Sequence, residues 1–206
     1  MTSTANLTRD ETAARAAGIH LQTVDVEIDL RAARAADATT FPTSSTLVFG
    51  ASVEATWIDF LGASVDEVIV NGAPQPVEWD GARVRVRGLA AHNVVTVRGT
   101  GRYSTSGEGL HRFSDPIDDE VYLYTQYEPA DSRRVYPVFE QPDLKARWRF
   151  VVIAPDGWQV LSNGAEAARE PVEGGVRVAF AETLPLSSYI TAVAAGPYRR
   201  VEGVWH

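Results

Sequence analysis

Along most of this chain apolar and polar residues alternate one for one. Val24, Val26, Ile28 and Leu30 interleave with Asp25, Glu27 and Asp29, the pattern of a strand with one face buried and the other in water. The same reading marks strands near Ser45–Glu54, Ala55–Phe60, Glu67–Val70, Val77–Trp79, Ala82–Arg87, Asn93–Arg98, Val121–Glu128, Ala146–Ile153, Gln159–Ser162, Val176–Ala181 and Tyr189–Ala194. Between them stand Asn71-Gly72, Asp80-Gly81, Asp156-Gly157, Asn163-Gly164 and Gly174-Gly175, pairs that accept the positive φ a tight hairpin needs. Turn signals this frequent predict an all-β chain folded as an antiparallel β-sandwich, with two sheets face to face.

One segment departs from the period of two before the strands begin. Thr8 and Glu11 have capping-box spacing ahead of the Ala-rich stretch Thr12–Ala17, and Gly18 supplies a stop. Residues 1–18 are therefore expected to form a short helical lead-in, and residues 19–206 the β domain. Arg31–Thr40 is Ala-rich and is taken as a surface loop. Gly99–Phe113 carries Gly99, Gly101, Gly107 and Gly109 among Ser and Thr and is expected to be a long irregular loop, followed by the acidic run Asp115–Glu120. Loops of that length in compact domains are often functional.

Composition removes several classes of function. The 206 residues, 45% of them hydrophobic, suffice for one large domain or two small ones at roughly 100–200 residues each. Lys and Arg number 19 against 27 Asp and Glu, a net charge of −8, and no basic stripe is present, which argues against a nucleic-acid partner. No run approaches the ~18 apolar residues of a membrane span, and Met1–Asn6 lacks the charged and apolar regions of a secretory signal. A soluble, cytoplasmic chain with no membrane partner is expected. The chain has no cysteine, which excludes disulfides, thiolate metal sites and cysteine nucleophiles together.

Few residues have the spacing that chemistry needs. His20, His92, His111 and His206 include no i, i+4 pair, so a zinc site of the H-E-x-x-H kind is absent. There is no G-x-S-x-G elbow; Ser104-Thr105-Ser106-Gly107 sits in the glycine loop instead. Asp118, Asp119, Glu120 and Glu128 are close in sequence, but a glycosidase pair must be about 5–9.5 Å apart in space. Trp57, Trp79, Trp148, Trp158 and Trp205 could form a sugar-stacking platform, but four of the five lie in or beside strands and are read as core. The sharpest feature is Tyr124-Thr125-Gln126-Tyr127-Glu128-Pro129. On a strand Gln126 and Glu128 point to the same face with Cα atoms roughly 6.5–7 Å apart, and Pro129 ends the strand. A carboxylate and an amide so placed can receive an ammonium group. The alternative is that both are satisfied edge residues, and spacing alone favours that alternative.

Around that segment the chain resembles a known family. Thr125-Gln126-Tyr127-Glu128-Pro129-Ala130-Asp131-Ser132-Arg133-Arg134-Val135-Tyr136-Pro137, continuing through Phe139 and Pro142 to Leu144-Lys145-Ala146, resembles the signature of the N-terminal domain of the aminopeptidase N family of zinc metallo-aminopeptidases. Gly107-Glu108-Gly109-Leu110-His111-Arg112-Phe113 is similar to the family's G-x-G-L-x-R loop. Leu186-Ser187-Ser188-Tyr189 with Gly196-Pro197-Tyr198 is similar to the stretch that closes the domain.

The resemblance implies a β saddle packed against a separate catalytic domain of the same polypeptide, which would carry the zinc ligands and the general base. It implies that no zinc is bound by these 206 residues and that they are inactive alone, with the chain ending at Trp205-His206 where the catalytic domain would begin. It implies that Glu128 binds the free α-ammonium of a peptide substrate and that Gln126 lines the first subsite. Arg133 and Arg134 match a structural turn. Val138 stands where the family has cysteine, and Glu140-Gln141 where Asp-Glu is common; both are read as structural, and Asp118–Glu120 as a possible rim. The competing reading is a stand-alone β-sandwich that binds carbohydrate or protein partners through its Trp residues and glycine loop.

Overall fold

A computed structural model describes residues 6–201 and 203; Met1, Trp205 and His206, on which some of the sequence expectations fall, lie outside the described residues. Helix α1 (Arg9–Gly18) is followed by strands β1 (Ile19–Asp29), β2 (Thr40–Ala51), β3 (Ala55–Asp59), β4 (Ser64–Val70), β5 (Ala73–Gln75), β6 (Arg83–Arg87) and β7 (His92–Ser104). Then come β8 (Gly109–Ser114), β9 (Val121–Gln126), β10 (Arg147–Ala154), β11 (Gln159–Ser162), β12 (Glu166–Val172), β13 (Gly175–Phe180) and β14 (Val193–Gly196). Among the described residues, twelve strands are linked by hydrogen bonds in the order β11-β14-β9-β8-β7-β2-β1-β10-β13-β12, with β4 and β5 attached to β7, while β3 and β6 form a separate pair. This is the all-β fold with one short N-terminal helix. No helix of the described residues is long and apolar enough to cross a membrane.

The helix forms as its sequence dictates. The Thr8 hydroxyl accepts from the Glu11 N–H and the Glu11 carboxylate accepts from the Thr8 N–H, two end groups satisfied at once. The helix is fixed to the sheets by charge. The Arg15 guanidinium donates to both oxygens of Asp59 at 2.6 and 3.1 Å, both side chains are 1% exposed, and Arg15 lies over the rings of Trp57 and Phe139. Arg83 pairs with Glu11 at 2.7 Å.

Several strands depart from the sequence expectation, each for a tertiary reason. The supposed loop at 99–113 is mostly strand: β7 runs to Ser104 and β8 starts at Gly109. Gly101 does not loosen the chain there; a Cβ on it would lie 2.4 Å from the Phe41 ring, so the glycine makes room for a core aromatic. Strand β12, Glu-Ala-Ala-Arg-Glu-Pro-Val, has no apolar alternation because it is a largely exposed edge strand, paired among the described residues only to β13, where charge and proline are tolerated. Val77–Trp79 is not a regular strand, and the expected strand at Tyr189–Ala194 is a 3-10 turn at Ser188–Ile190 leading into β14. Arg31–Thr40 includes a 3-10 turn, Arg31–Arg34, that buries Ala33. Asn163-Gly164 is not a positive-φ hairpin: the Asn163 amide bonds the Ile190 carbonyl and the Ala192 N–H, and β11 pairs with β14 instead of β12. Not all pairing is antiparallel. β1 runs parallel to β10 from Thr23 with Arg147 to Asp29 with Ile153, and β7 meets β8 in a short parallel contact. Strands far apart in sequence are free of hairpin geometry.

Candidate functional site

The three sequence blocks singled out above converge on β9. Strand β8 pairs with one edge of β9, with Gly109 opposite Gln126, Leu110 opposite Thr125 and His111 opposite Tyr124. Strand β14 pairs with the other edge, Ala194 opposite Tyr124, and the Thr125 hydroxyl accepts from the Val193 N–H at 2.9 Å. Gly109 has φ +67°, and a Cβ on it would come within 3.1 Å of the Arg134 Cβ. A side chain there would strain the backbone and push away the turn that follows Glu128.

β9 ends at Gln126 rather than Glu128. The chain then turns, the Asp131 N–H bonding the Tyr127 carbonyl at 2.8 Å, because Pro129 has no N–H with which to continue a ladder. The Glu128–Pro129 peptide is cis. Alternation nevertheless continues across the junction: Gln126 and Glu128 are exposed and Tyr127 between them is buried. Neither the Gln126 nor the Glu128 side chain has a hydrogen bond or ion pair among the described residues. Tyr127 roots the turn. Its ring meets Tyr136 edge-on at 5.9 Å, and Tyr136 in turn contacts Trp148 and Phe150. Tyr127 is 2% exposed and interlocked with these rings, so the two outward side chains stand on a fixed base.

The far side of the turn is held by Glu140, which is 7% exposed. One of its carboxylate oxygens, Oε2, accepts from the Ser132 hydroxyl and from the Arg133 N–H at 2.8 Å, and the other, Oε1, accepts from the Ser188 hydroxyl at 2.5 Å. Desolvation raises its pKa above the ordinary carboxylate value, against the lowering effect of these donors. The Glu140 N–H donates to Asp59 Oδ2 at 3.0 Å, the same carboxylate that Arg15 grips. Nearby, the Tyr136 and Thr191 hydroxyls bond at 2.6 Å, Thr191 bonds the Ser188 carbonyl, and the Ser187 hydroxyl donates to the Pro142 carbonyl. Arg133 and Arg134 occupy the 3-10 turn Ser132–Arg134; Arg134 pairs with Asp131 at 2.6 Å and Arg133 donates to the Ala130 carbonyl and Asn6.

The remaining candidates do not join this group. Asp118–Glu120 do not rim it: they close the turn at the opposite end of the β8–β9 hairpin, beyond the pairing of Ser114 with Val121. His20 and His92 are exposed, His111 lies against Tyr124 with ring centroids 4.9 Å apart, and His206 lies outside the described residues. No three His, Asp or Glu side chains among the described residues converge as metal ligands. Trp148 and Trp158 are buried in the core. Trp57 and Trp79 instead line a concavity of about 550 Å³ on the small sheet with Arg83, Arg85 and Arg87, and no residue of the glycine segment lines it. A second cleft, about 290 Å³, is lined by Ser104, Thr105, Ser106, Glu108 and Arg134. Neither concavity is lined by Gln126 or Glu128, which stand on an open face. That face is apolar beside them: His111 and Phe113 of β8, Tyr122 and Tyr124 of β9, Ala194 of β14 and Leu161 of β11 share it by register, with Leu161 61%, Phe113 45% and Tyr124 43% exposed.

Residues 89–190 match the family model described as Peptidase M1 N-terminal domain. The chain is 39% identical over 205 residues to the aminopeptidase N of Streptomyces lividans, covering 97% of this chain and 23% of that protein. It is 26% identical over 145 residues to the leucyl aminopeptidase of Saccharolobus solfataricus, covering 70% of this chain and 18% of that protein. The chain thus spans about a quarter or less of the length of these curated relatives. Its fold matches the crystal structure of a mutant M1 zinc metallopeptidase from Deinococcus radiodurans with a TM-score of 0.72 at 17% identity, over 87% of this chain and 42% of that one, a likeness of fold alone.

Proposed function

Because the chain belongs, through residues 89–190, to the Peptidase M1 N-terminal domain family, we propose that it is the substrate-anchoring domain of a zinc-dependent aminopeptidase that removes N-terminal amino acids from peptides. The observation that carries the reading is the pair Gln126 and Glu128, two outward side-chain acceptors without partners among the described residues, placed on a base that the core holds still. The Glu128 carboxylate offers charge-assisted hydrogen bonds to the α-ammonium of a peptide, and the Gln126 carbonyl oxygen adds a neutral acceptor. An exopeptidase must measure one residue from a charged end. A carboxylate enclosed at that position disfavours blocked or internal peptides, because they leave it unpaired.

On an open face water would screen such a receptor. The reading therefore needs the face covered, and the apolar stripe from Phe113 through Tyr124 to Leu161 supports a second domain of the same polypeptide as the cover. The metal and the bond-breaking step are assigned in this proposal to that second domain, no group of three or more metal-ligating side chains being found among the described residues, and these 206 residues alone are proposed to be inactive. A cytoplasmic location is part of the same proposal. The relatives named above, both aminopeptidases by name, support the choice of substrate class.

The test is Glu128→Ala in the full-length polypeptide. KM for peptides with a free amino terminus is expected to rise about 10- to 100-fold, as loss of a hydrogen-bonded charge implies, and the preference for free over acetylated termini to fall. Kinetics equal to the unsubstituted enzyme would end the assignment.

A further inference from the structure

We propose that Glu140 is the positioning residue for Glu128, fixing the turn from which the substrate amine is held. The inference rests on the receptor reading above. Glu128 lies between two anchors. Upstream, Gln126 is locked in register with Gly109 and Thr125 bonds the Val193 N–H. Downstream, Ser132 lies four positions beyond Glu128, and its hydroxyl and the Arg133 N–H end on the Glu140 carboxylate. The other oxygen of that carboxylate takes the Ser188 hydroxyl, so one buried group ties the turn to the segment that leads into β14.

Glu140 is itself immobilised. Its N–H ends on Asp59, and Asp59 is held by Arg15 of α1. A continuous path therefore runs from the helix through two buried carboxylates to the turn that carries Glu128. A buried carboxylate is an expensive way to join two loops unless all its donors are in place. Here both oxygens are engaged, and the three donors come from residues 8 and 7 positions upstream and 48 downstream. Loss of the carboxylate removes the acceptor that the Ser132 hydroxyl and the Arg133 N–H share and loosens the turn, and a displacement of about 1 Å at a binding group is enough to change kinetics strongly.

The experiment is a double-mutant cycle in the full-length enzyme. Glu140→Gln, which keeps volume but replaces one acceptor oxygen by a donor, is expected to raise KM for free-amine peptides about fivefold or more, with kcat within about twofold and a cooperative melting transition retained. In a Glu128→Ala background the same substitution is expected to change KM no further, because there is no receptor left to position. Glu140→Asp, which keeps both oxygens, is expected to restore part of the loss. A Glu140→Gln enzyme with unchanged KM, or one whose KM effect is the same with and without Glu128, overturns the inference while leaving the receptor reading intact. A Glu128→Ala enzyme with unchanged kinetics overturns the receptor reading and this inference with it. If Glu140→Gln does not fold, Ser132→Ala, which removes one donor and spares the carboxylate, is judged by the same KM criterion and the same cycle.

Discussion

The β8–β9 hairpin has two ends, and each carries acidic groups. At the end that joins the strands, Asp115 accepts from the Ile117 N–H, Asp118 accepts from the Glu120 N–H and from the Tyr122 hydroxyl, and Asp119 takes φ +57° to close the turn. These acidic groups shape the backbone. At the other end, roughly 17 Å away at about 3.4 Å per residue, the Gln126 and Glu128 side chains have no intramolecular partner among the described residues, and the buried groups beneath them do the holding. The denser acidic cluster is thus the structural one, and the sparse pair is the one left open to a ligand. Engagement, more than the number of acidic groups, separates scaffold from candidate receptor.

If that distinction is right, substitutions at engaged carboxylates cost stability and those at open ones do not. The largest effect is expected at Asp59. Asp59→Ala leaves the Arg15 guanidinium buried and unpaired, a loss of about 3–5 kcal/mol, read as a lower denaturant midpoint; a change below about 1 kcal/mol would mean that the layer beneath the turn is not what fixes it. A smaller loss is expected for Asp118→Ala, which frees the Tyr122 hydroxyl and the Glu120 N–H but leaves both able to reach water. Its melting temperature should fall, by less than that of Asp59→Ala. Equality of the two would break the contrast between buried anchor and surface turn.

Glu11 sharpens the comparison through pH. The Arg83 hydrogen bond, followed by the Thr8 N–H, lowers its pKa from 4.5 to about 2. A carboxyl whose pKa is lower in the folded state adds stability that is fully present above its ordinary value and is lost as pH falls toward the folded value. The stability difference between the native chain and Glu11→Gln is therefore expected to be constant above pH 4.5 and to shrink between pH 4.5 and about 2. A difference that persists unchanged to pH 2 would show that α1 is held without this ion pair.

How much of this was legible beforehand follows from how local each determinant is. The α1 cap was readable because Thr8 and Glu11 satisfy each other within one turn. Most strands were readable because alternation reports burial directly. The extension of β7 was not, since Gly101 signals a loop until Phe41, paired opposite it from β2, is seen to fill the space. The edge strand β12 gave no apolar signal, and the parallel pairing of β1 with β10 joins segments more than a hundred residues apart. In the candidate site, Gln126 and Glu128 could be singled out by spacing and by resemblance. The role of Glu140 could not, because its partners Ser188 and Asp59 lie 48 and 81 positions away, and only the fold brings them to it.

The smallest expected effect is the most informative. Glu128→Ala and Gln126→Ala should each leave the unfolding free energy within about 0.5 kcal/mol of the native value, the range for surface side chains without partners. Nothing in the described structure is lost with either side chain: Tyr127 between them keeps its contact with Tyr136, and Gly109 stays paired with the Gln126 backbone. A receptor for a ligand that arrives from outside is expected to behave this way, since groups reserved for the ligand contribute little to the empty fold. A loss above about 1 kcal/mol at Glu128 would place it with the engaged carboxylates, and the difference between the two ends of the hairpin would disappear. Unchanged stability together with a large rise in KM would locate its contribution in binding rather than in folding, and would distinguish Glu128 from Asp59, Asp118 and Glu140 by one pair of measurements on the same variant.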